Sequence, residues 1–296
     1  MIIDDDKPTH LIERAAARLR QSAKLAPAAD PPSVAVLERA SPQPAAARPA
    51  PARDSRRPAL IDMPTLAKGG LIDGGARGAR VLEELSIAQN NLLRYSFGEN
   101  GAAAARSEHL VMITSALSGE GKSFVALNLA AAVARQAERR VLLIDADAKP
   151  NSLGHIFGLS GAAGLLDLAT GERALADLAI PTARANLEFL PLGGSGEALS
   201  RARMASLVSE IGRQDRGRLI LLDTAPCLLS SDAHTLAPVV GQTVFVIAAG
   251  LTQQGEIESA LELVQTCPVV SLLLNKVKSG NGLALGTYGY HSAPHA

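Results

Sequence analysis

The stretch TSALSGEGKSFVALNLA, residues 114–130, decides the fold of this chain. Its segment ALSGEGKS (116–123) fits the phosphate-loop pattern GxxxxGK(S/T), with Ala116 at the position of the first glycine. An apolar β-type run, LVMIT (110–114), precedes the segment, and a helical pattern, KSFVALNLAAAVARQ (122–136), follows it. A strand, a glycine-bearing loop and a helix in this order predict a phosphate-binding loop, against the alternative of a glycine-rich turn that binds no nucleotide.

The residue types in this loop predict how it would hold ATP. Gly119 and Gly121 let the backbone curl so that successive amide hydrogens face a phosphate at the positive end of the helix. Lys122 would reach the β- and γ-phosphates, and the Ser123 hydroxyl would bind Mg²⁺. We expect the nucleotide to contact a continuous run of residues: Ser118, Gly119, Glu120, Gly121, Lys122, Ser123 and Phe124.

Further apolar runs predict the rest of the architecture. They are VLLID (141–145), LEFLP (187–191), LILLD with Arg218 leading (218–223), TVFVIAA (243–249) and VVSLLLN (269–275), and helical patterns separate nearly all of them. Continuous apolar strands joined through helices are typical of a mostly parallel sheet covered by helices on both faces. We therefore predict an α/β P-loop NTPase fold, in which ligands bind at the carboxyl ends of the strands.

Acidic residues follow two of these predicted strands. Asp145 ends VLLID, Asp147 comes two residues later, and Asp223 ends LILLD. Because the carboxyl ends of parallel strands meet at one edge of a sheet, the three carboxylates are predicted to complete a magnesium site with Ser123. For Asp147 a structural alternative stays open, in which its side chain closes an Asx-type turn before Pro150.

The composition divides the chain into four segments. Residues 1–24 contain a short helical pattern, which is either a frayed terminal helix or a docking helix for a partner. Residues 25–77 are rich in proline, alanine and arginine and are predicted to be a disordered linker. Residues 78–280 are the predicted ATP-binding domain, and residues 281–296 are a predicted flexible tail that carries Tyr288 and Tyr290.

Charge and cysteine content exclude other classes of function. The chain carries 29 basic and 29 acidic residues, so no overall field would attract nucleic acid. No apolar run approaches the ~18 residues that a membrane span requires, and the N-terminus lacks a signal-peptide pattern, so we expect a cytoplasmic protein. Cys227 and Cys267 lie in apolar or proline-adjacent stretches, which favours buried thiols over a disulfide or a metal site.

Three motifs, ALSGEGKS (116–123), LLIDADAKP (142–150) and LLDTAP (221–226), together resemble the nucleotide motifs of the bacterial tyrosine kinases, the autokinases of capsule and exopolysaccharide export. The resemblance covers roughly residues 78–290, and LIERAAARL (11–19) is similar to the subgroup linked to exosortase and exopolysaccharide loci. Several further segments resemble the same family: HIFGLSGAAGLLDLATGE (155–172), LEFLPLG (187–193), LSRARMASLVSEI (199–211) and SSDAHTLAPVVGQTVFVIAAGLTQQ (230–254).

This resemblance implies a mechanism and partners. Asp145 would help to activate the attacking tyrosine hydroxyl and Lys122 would grip phosphate, which gives a catalytic set of Lys122, Asp145 and Asp147. The family implies a membrane-embedded chain-length or co-polymerase partner, recruitment to the inner face of the membrane, and assembly of several copies. A glycine-flanked tail can bring a phenol into a neighbouring active site, so Tyr288 and Tyr290 in GTYGYHSAPHA (286–296) are the predicted phosphate acceptors, unless they are simply residues of a free end.

Departures from the family pattern leave alternatives open. In the helix that packs subunits into a ring, the sequence keeps Arg80, Glu83, Asn91 and Leu92, but Ser86 and Gln89 stand where arginines are expected. Lys149 likewise replaces an arginine of the second motif.

One alternative is an ATP-binding switch of the same machinery that has lost phosphotransfer. Another is a partition-type ATPase, which is disfavoured because Leu117 occupies the position of that branch's signature lysine. Asn275 and Lys276, at the end of the last predicted strand, either line a base pocket or form a strand-end turn.

Overall fold

The computed structural model of the protein describes residues 60–98, 107–136, 139–194 and 201–277. The predicted N-terminal helix, most of the predicted linker and the tail with Tyr288 and Tyr290 lie outside these ranges. Within them, no helix is long and apolar enough to cross a membrane.

The described residues form a seven-stranded sheet in the order β3-β4-β2-β5-β1-β6-β7. β3 pairs antiparallel with β4, and the other pairings in this sheet are parallel. The strands are β1 Leu110–Ser115, β2 Val141–Asp145, β3 Ile180–Pro181, β4 Leu187–Leu190, β5 Leu219–Asp223, β6 Gln242–Ala248 and β7 Val269–Asn275. The predicted α/β P-loop fold and all six predicted strands are confirmed, and β3 is the strand that the apolar pattern missed.

Helices lie on both faces of the sheet. They are α1 Met63–Lys68, α2 Gly75–Phe97, α3 Lys122–Gln136, α4 Leu153–Ile156, α5 Leu175–Leu178, α6 Arg201–Gln214, α7 Asp232–Leu236 and α8 Gln254–Val264, with a 3₁₀-helix at Leu165–Thr170. The segment RVLEELSIAQNNLLR (80–94), which is helical in pattern, lies within α2, and the predicted helix after the glycine loop is α3.

Alternate residues of each central strand point into two separate apolar cores. Val111 and Ile113 of β1 pack with α1, α2 and α3 on one face. Leu110 and Met112 pack with α6, α7 and α8 on the other. Because helices cover both faces, the central strands are apolar at nearly every position. This continuous apolar pattern is why the strands could be predicted from the sequence. Cys227 and Cys267 are buried free thiols in the second core, and burial raises the pKa of both.

The residues just before α2 belong to the folded domain. Ile61 joins the edge of the sheet, donating its N–H to the Pro181 carbonyl over 3.0 Å and accepting from Ala183 N–H over 2.8 Å. Leu66 and Leu71 are buried in the first core. The prediction of a disordered linker over 25–77 is therefore wrong for its last part, because this segment contributes apolar side chains and sheet hydrogen bonds to the domain.

Asn128 fixes this segment to α3. Its Oδ1 accepts a hydrogen bond from Ile72 N–H at 3.0 Å, and its Nδ2 donates to the carbonyls of Gly70 at 3.0 Å and Phe124 at 2.9 Å. The side chain is buried, so water cannot replace these partners when the amide is removed.

We predict that Asn128→Ala lowers the free energy of unfolding by about 2 to 4 kcal/mol, because buried backbone groups lose their partners. Urea denaturation measures the change. Asn90→Ala, at an exposed position of α2, is the matched control and should change stability by less than about 0.5 kcal/mol. Equal effects of the two substitutions would contradict the attachment of residues 60–73 through Asn128.

Candidate nucleotide-binding site

The phosphate loop connects β1 to α3 at the carboxyl edge of the sheet. Gly119 and Gly121 have φ angles of 85° and 95°, a region that residues with a Cβ rarely adopt. A Cβ at Gly121 would also collide with the Asn275 side chain. The two glycines are thus required by the curl of the loop, and the first turn of α3 follows directly, which is the arrangement that binds phosphate.

Glu120 faces the protein interior. Its Oε2 accepts a hydrogen bond from Leu117 N–H at 2.6 Å, its Oε1 accepts from the Thr252 hydroxyl, and the residue is 4% exposed. The Glu120 side chain therefore holds the loop together, and what it can offer a nucleotide is its backbone N–H.

The other predicted loop contacts divide into two groups. Ser118 is exposed at the tip of the loop, and Lys122 and Ser123 begin α3 beside the acidic residues. The Phe124 side chain packs against the first core and lies next to Gly70. Phe124 can therefore contribute a backbone amide to a phosphate, while its ring has a structural role.

Lys122 lies between two carboxylates. Its Nζ is 2.8 Å from Asp147 Oδ2 and 3.9 Å from Asp223 Oδ1, and it is 3.4 Å from the Ser123 hydroxyl. Burial alone would lower the pKa of the Lys122 ammonium, but attraction to Asp223 and Asp147 outweighs burial and raises it. Lys122 is therefore a positive charge aimed at the space beside the loop.

Asp223 is fully buried at the end of β5. Neither of its carboxylate oxygens has a hydrogen-bond partner among the described residues. Burial raises the pKa of Asp223 to about 7, although attraction to Lys122 opposes the rise. The Asp223 carboxylate is buried, its oxygens accept no hydrogen bond within the described ranges, and both it and the Ser123 hydroxyl lie near the Lys122 ammonium. Such an arrangement of oxygen atoms suits a hard cation such as Mg²⁺.

Asp147 forms the turn considered from sequence and also contacts Lys122. Its Oδ1 accepts from Lys149 N–H at 3.2 Å, which closes an Asx-type turn before Pro150. Its Oδ2 binds Lys122. The turn thus orients the carboxylate toward the lysine.

Asp145 departs from the predicted arrangement. Its Oδ1 accepts from Asp147 N–H at 3.1 Å, and its Oδ2 accepts from Gly154 N–H at 2.7 Å. Burial raises the pKa of Asp145, and these hydrogen bonds oppose the rise. Within the described ranges, no three carboxylate, imidazole or thiolate groups come together as a metal site. The structure thus brings Asp147 and Asp223 to Lys122, while Asp145 is held by backbone amides.

Three contacts escaped the sequence reasoning. Gly154 can approach Asp145 because it lacks a Cβ. Its position two residues after Ser152, which caps α4, is the sequence signal that could have indicated this contact. Thr252 lies in the loop after β6, where nothing in the local sequence indicated a contact with Glu120. β7 ends at Asn275, Lys276 follows it with a φ of 59°, and both side chains reach the phosphate loop.

Comparison with known proteins identifies relatives of this site. The sequence profile of the CobQ/CobB/MinD/ParA nucleotide binding domain matches residues 111–289. The chain is 33% identical over 196 residues to tyrosine-protein kinase YwqD of Bacillus subtilis (strain 168), covering 64% of this chain and 80% of that protein.

Longer relatives match over a part of their length. Tyrosine-protein kinase Wzc of Salmonella typhi is 34% identical over 182 residues, which cover 60% of this chain but 25% of Wzc. The putative tyrosine-protein kinase EpsB of Ralstonia nicotianae is 33% identical over 233 residues, covering 73% of this chain and 30% of EpsB. Among solved structures, the VpsO kinase domain superposes with a TM-score of 0.52 and 29% identity, covering 68% of this chain and 97% of that domain.

The buried Asp223 carboxyl predicts an unusual dependence of stability on pH. Between about pH 4 and pH 7 the folded protein keeps a proton that the unfolded chain has released, so the free energy of unfolding should fall as pH rises through this window. An asparagine at position 223 cannot titrate. The free energy of unfolding of Asp223→Asn, minus that of the unsubstituted protein, should therefore rise by about 1 to 3 kcal/mol between pH 5 and pH 8.

Urea denaturation of the nucleotide-free protein, with a chelator present, measures this difference. Glu258→Gln, which removes an exposed carboxylate of α8, is the control for loss of a charge. If the difference in stability between Asp223→Asn and the unsubstituted protein is constant across this pH range, the raised pKa of Asp223 is contradicted.

Proposed function

Because the chain belongs to the bacterial tyrosine kinase family, we propose that it is an ATP- and Mg²⁺-dependent protein-tyrosine autokinase. The observation that supports this most directly is the partly buried Lys122, held between Asp147 and Asp223 beside a glycine-curled phosphate loop. The position of Lys122 suits a triphosphate that lies along the loop, because its ammonium and the loop amides would then face the same anion.

Each group of residues in the site would have a separate function in phosphoryl transfer. The backbone amides from Gly119 to Ser123 would bind phosphate oxygens, and Lys122 would move from Asp147 to the β- and γ-phosphates. Ser123, Asp147 and Asp223 would hold Mg²⁺, directly or through water. The chemistry that Mg²⁺ supplies when bound is neutralisation of the charge that develops between the β- and γ-phosphates.

Asp145 is the proposed general base. The phenolic oxygen of a tyrosine would form a bond to the γ-phosphorus as the bond between the γ-phosphorus and the β–γ bridging oxygen breaks, so that ADP leaves and the phenolic proton passes to Asp145. A raised pKa makes a carboxylate a better proton acceptor near neutral pH. Asp147 N–H and Gly154 N–H would orient the carboxylate for this step.

Tyr288 and Tyr290 are the proposed acceptors. Glycines at 286 and 289 border them in the sequence, and the final residue of β7, Asn275, already touches the phosphate loop. The remaining tyrosine, Tyr95, lies near the end of α2 and is 46% exposed, which makes it a useful internal control.

The wider setting is proposed from the family resemblance. We propose that the protein regulates exopolysaccharide biosynthesis or export at the inner face of the membrane, together with a membrane-embedded chain-length or co-polymerase protein. Assembly of several copies is also proposed, but the α2 contacts differ from those expected of a ring. Arg80 Nε pairs with Glu84 Oε1 at 2.7 Å, and Gln89 is 3% exposed, so the Gln89 side chain points into its own domain.

These α2 contacts favour a second candidate function. An ATP-binding switch would keep the nucleotide site but need neither ring assembly nor tail tyrosines. Gln89 and Ser86, whose hydroxyl donates to the Glu83 carbonyl over 2.6 Å, support this alternative. The partition-type ATPase is not favoured, because Leu117 replaces its signature lysine and the named relatives above are tyrosine-protein kinases.

We predict that the purified protein, incubated with ATP and Mg²⁺, acquires phosphate on Tyr288 or Tyr290. Lys122→Met should reduce this phosphorylation by at least about 100-fold, because the transferred phosphate loses its main positive contact. Lys68→Met, on the exposed side of α1, is the matched control for loss of a lysine, and Tyr95→Phe should leave the phosphorylation unchanged. Phosphopeptide mapping by mass spectrometry measures all four proteins.

Addition of the cytoplasmic part of the proposed membrane partner distinguishes the two candidate functions. Phosphorylation that requires the partner still supports the kinase. Tight binding of ATP with no modified tyrosine, with or without the partner, would support the switch and overturn the kinase.

A further inference from the structure

We propose that Thr252, Asn275 and Lys276 are positioning residues that hold the phosphate loop in its anion-binding conformation before any nucleotide arrives. They come from the loop after β6 and from the end of β7, more than 100 residues from the phosphate loop in sequence. The proposal rests on the proposed nucleotide site, but it concerns the conformation of the loop in the free protein.

The loop needs external support because of its own composition. Gly119 and Gly121 permit the required backbone angles, but glycine has more conformations to lose on ordering than any other residue. A loop that stays curled without a ligand must therefore be fixed by contacts from outside. The structure provides such contacts at consecutive residues of the loop.

Two of these contacts fix the orientation of peptide groups. Asn275 Nδ2 donates to the Glu120 carbonyl over 2.8 Å, and Lys276 Nζ donates to the Gly119 carbonyl over 2.5 Å. In a trans peptide the C=O and the following N–H point in opposite directions. Holding these two carbonyls toward β7 therefore turns the N–H groups of Glu120 and Gly121 the other way, toward the space where a phosphate would bind.

The third contact acts through the Glu120 side chain. The Thr252 hydroxyl donates to Oε1, while Leu117 N–H donates to Oε2 over 2.6 Å, so the carboxylate connects the start of the loop to the loop after β6. Glu120 is 4% exposed, and a buried carboxylate that loses a donor is left with an unpaired oxygen. Thr252 also accepts from Ala248 N–H over 3.2 Å, which fixes its own position.

The backbone at Lys276 is consistent with this function. Its φ of 59° lies in the left-handed region, which is uncommon for a residue other than glycine, asparagine or aspartate. This conformation ends β7 and directs the lysine to Gly119. The Asn275 side chain also fills the place where a Cβ on Gly121 would stand, so the two residues pack against each other.

Hydrogen exchange of the nucleotide-free protein tests the proposal directly. Thr252→Val removes the hydroxyl at nearly constant shape, and Thr252→Ser keeps it. We expect exchange of the Leu117 amide to be about tenfold faster in Thr252→Val and close to the unsubstituted rate in Thr252→Ser. Asn275→Ala should likewise accelerate exchange in peptides that cover residues 115–122.

Calorimetric titration with ATP and Mg²⁺ provides the second readout. Thr252→Val should weaken ATP binding by about tenfold and Thr252→Ser should restore it. The double variant of Thr252→Val and Glu120→Gln should lose less ATP affinity than the product of the two separate fold-changes, because both substitutions break the same contact.

The outcomes separate this proposal from the proposed function. If the unsubstituted protein binds no ATP, the nucleotide function fails, and the exchange rates still decide whether these residues hold the loop. If ATP binds and Thr252→Val leaves both loop exchange and affinity unchanged, the positioning proposal is overturned. It is also overturned if exchange accelerates equally in the loop and in the central strands, since that pattern reports general destabilisation.

Discussion

The register of the three central strands is the constraint on which the site depends. β2, β5 and β1 are neighbours in the sheet, and Asp145 of β2 lies directly opposite Asp223 of β5, which in turn lies opposite Ile113 of β1. Because these strands are parallel, their carboxyl ends lie at the same edge of the sheet, and the residues that follow them share that edge. The phosphate loop follows β1 there. A shift of one residue in either pairing would turn a carboxylate toward the opposite face of the sheet.

The same register concentrates negative charge in a buried place. Lys122 carries one positive charge between Asp147 and Asp223, and Asp145 lies on the neighbouring strand. Each carboxylate is accommodated differently. Asp147 has the short contact with Lys122, Asp145 has two backbone N–H donors, and Asp223 has the longer 3.9 Å approach to Lys122 and a pKa of about 7. The cost of burial therefore falls most heavily on Asp223.

Sequence reasoning succeeded where a single strand carried the signal. The buried strands are long apolar runs. The proximity of Lys122, Asp147 and Asp223 follows from the rule that the carboxyl ends of parallel strands share one edge of a sheet. It failed where position depends on distant residues. The direction of Asp145 is set by Gly154 and that of Glu120 by Thr252, and neither partner has a local signature.

Composition misled in one further segment. Ile61 and Leu66 lie after a long proline-rich stretch, and Pro64 lies in the first turn of α1, where proline is well tolerated. Average composition placed these residues in a linker, although their apolar side chains belong to the core. β3 was missed for another reason, because two residues are too few to show a period.

On the proposed function, the different hydrogen-bond partners of the three carboxylates would connect nucleotide binding to cation binding. A triphosphate in the loop would draw Lys122 away from the acidic residues. Asp145 would be little affected, because its oxygens are satisfied by Asp147 N–H and Gly154 N–H. Asp223 would lose its positive neighbour while its oxygens stay buried and without a hydrogen-bond donor among the described residues. It would then take up a proton or accept another cation, and on the proposed function Ser123, Asp147 and Asp223 would hold a magnesium ion that supplies this positive charge. On the proposed function, Lys122 and the cation would be successive partners of the Asp223 carboxylate, and this one side chain would link the binding of ATP to the binding of Mg²⁺.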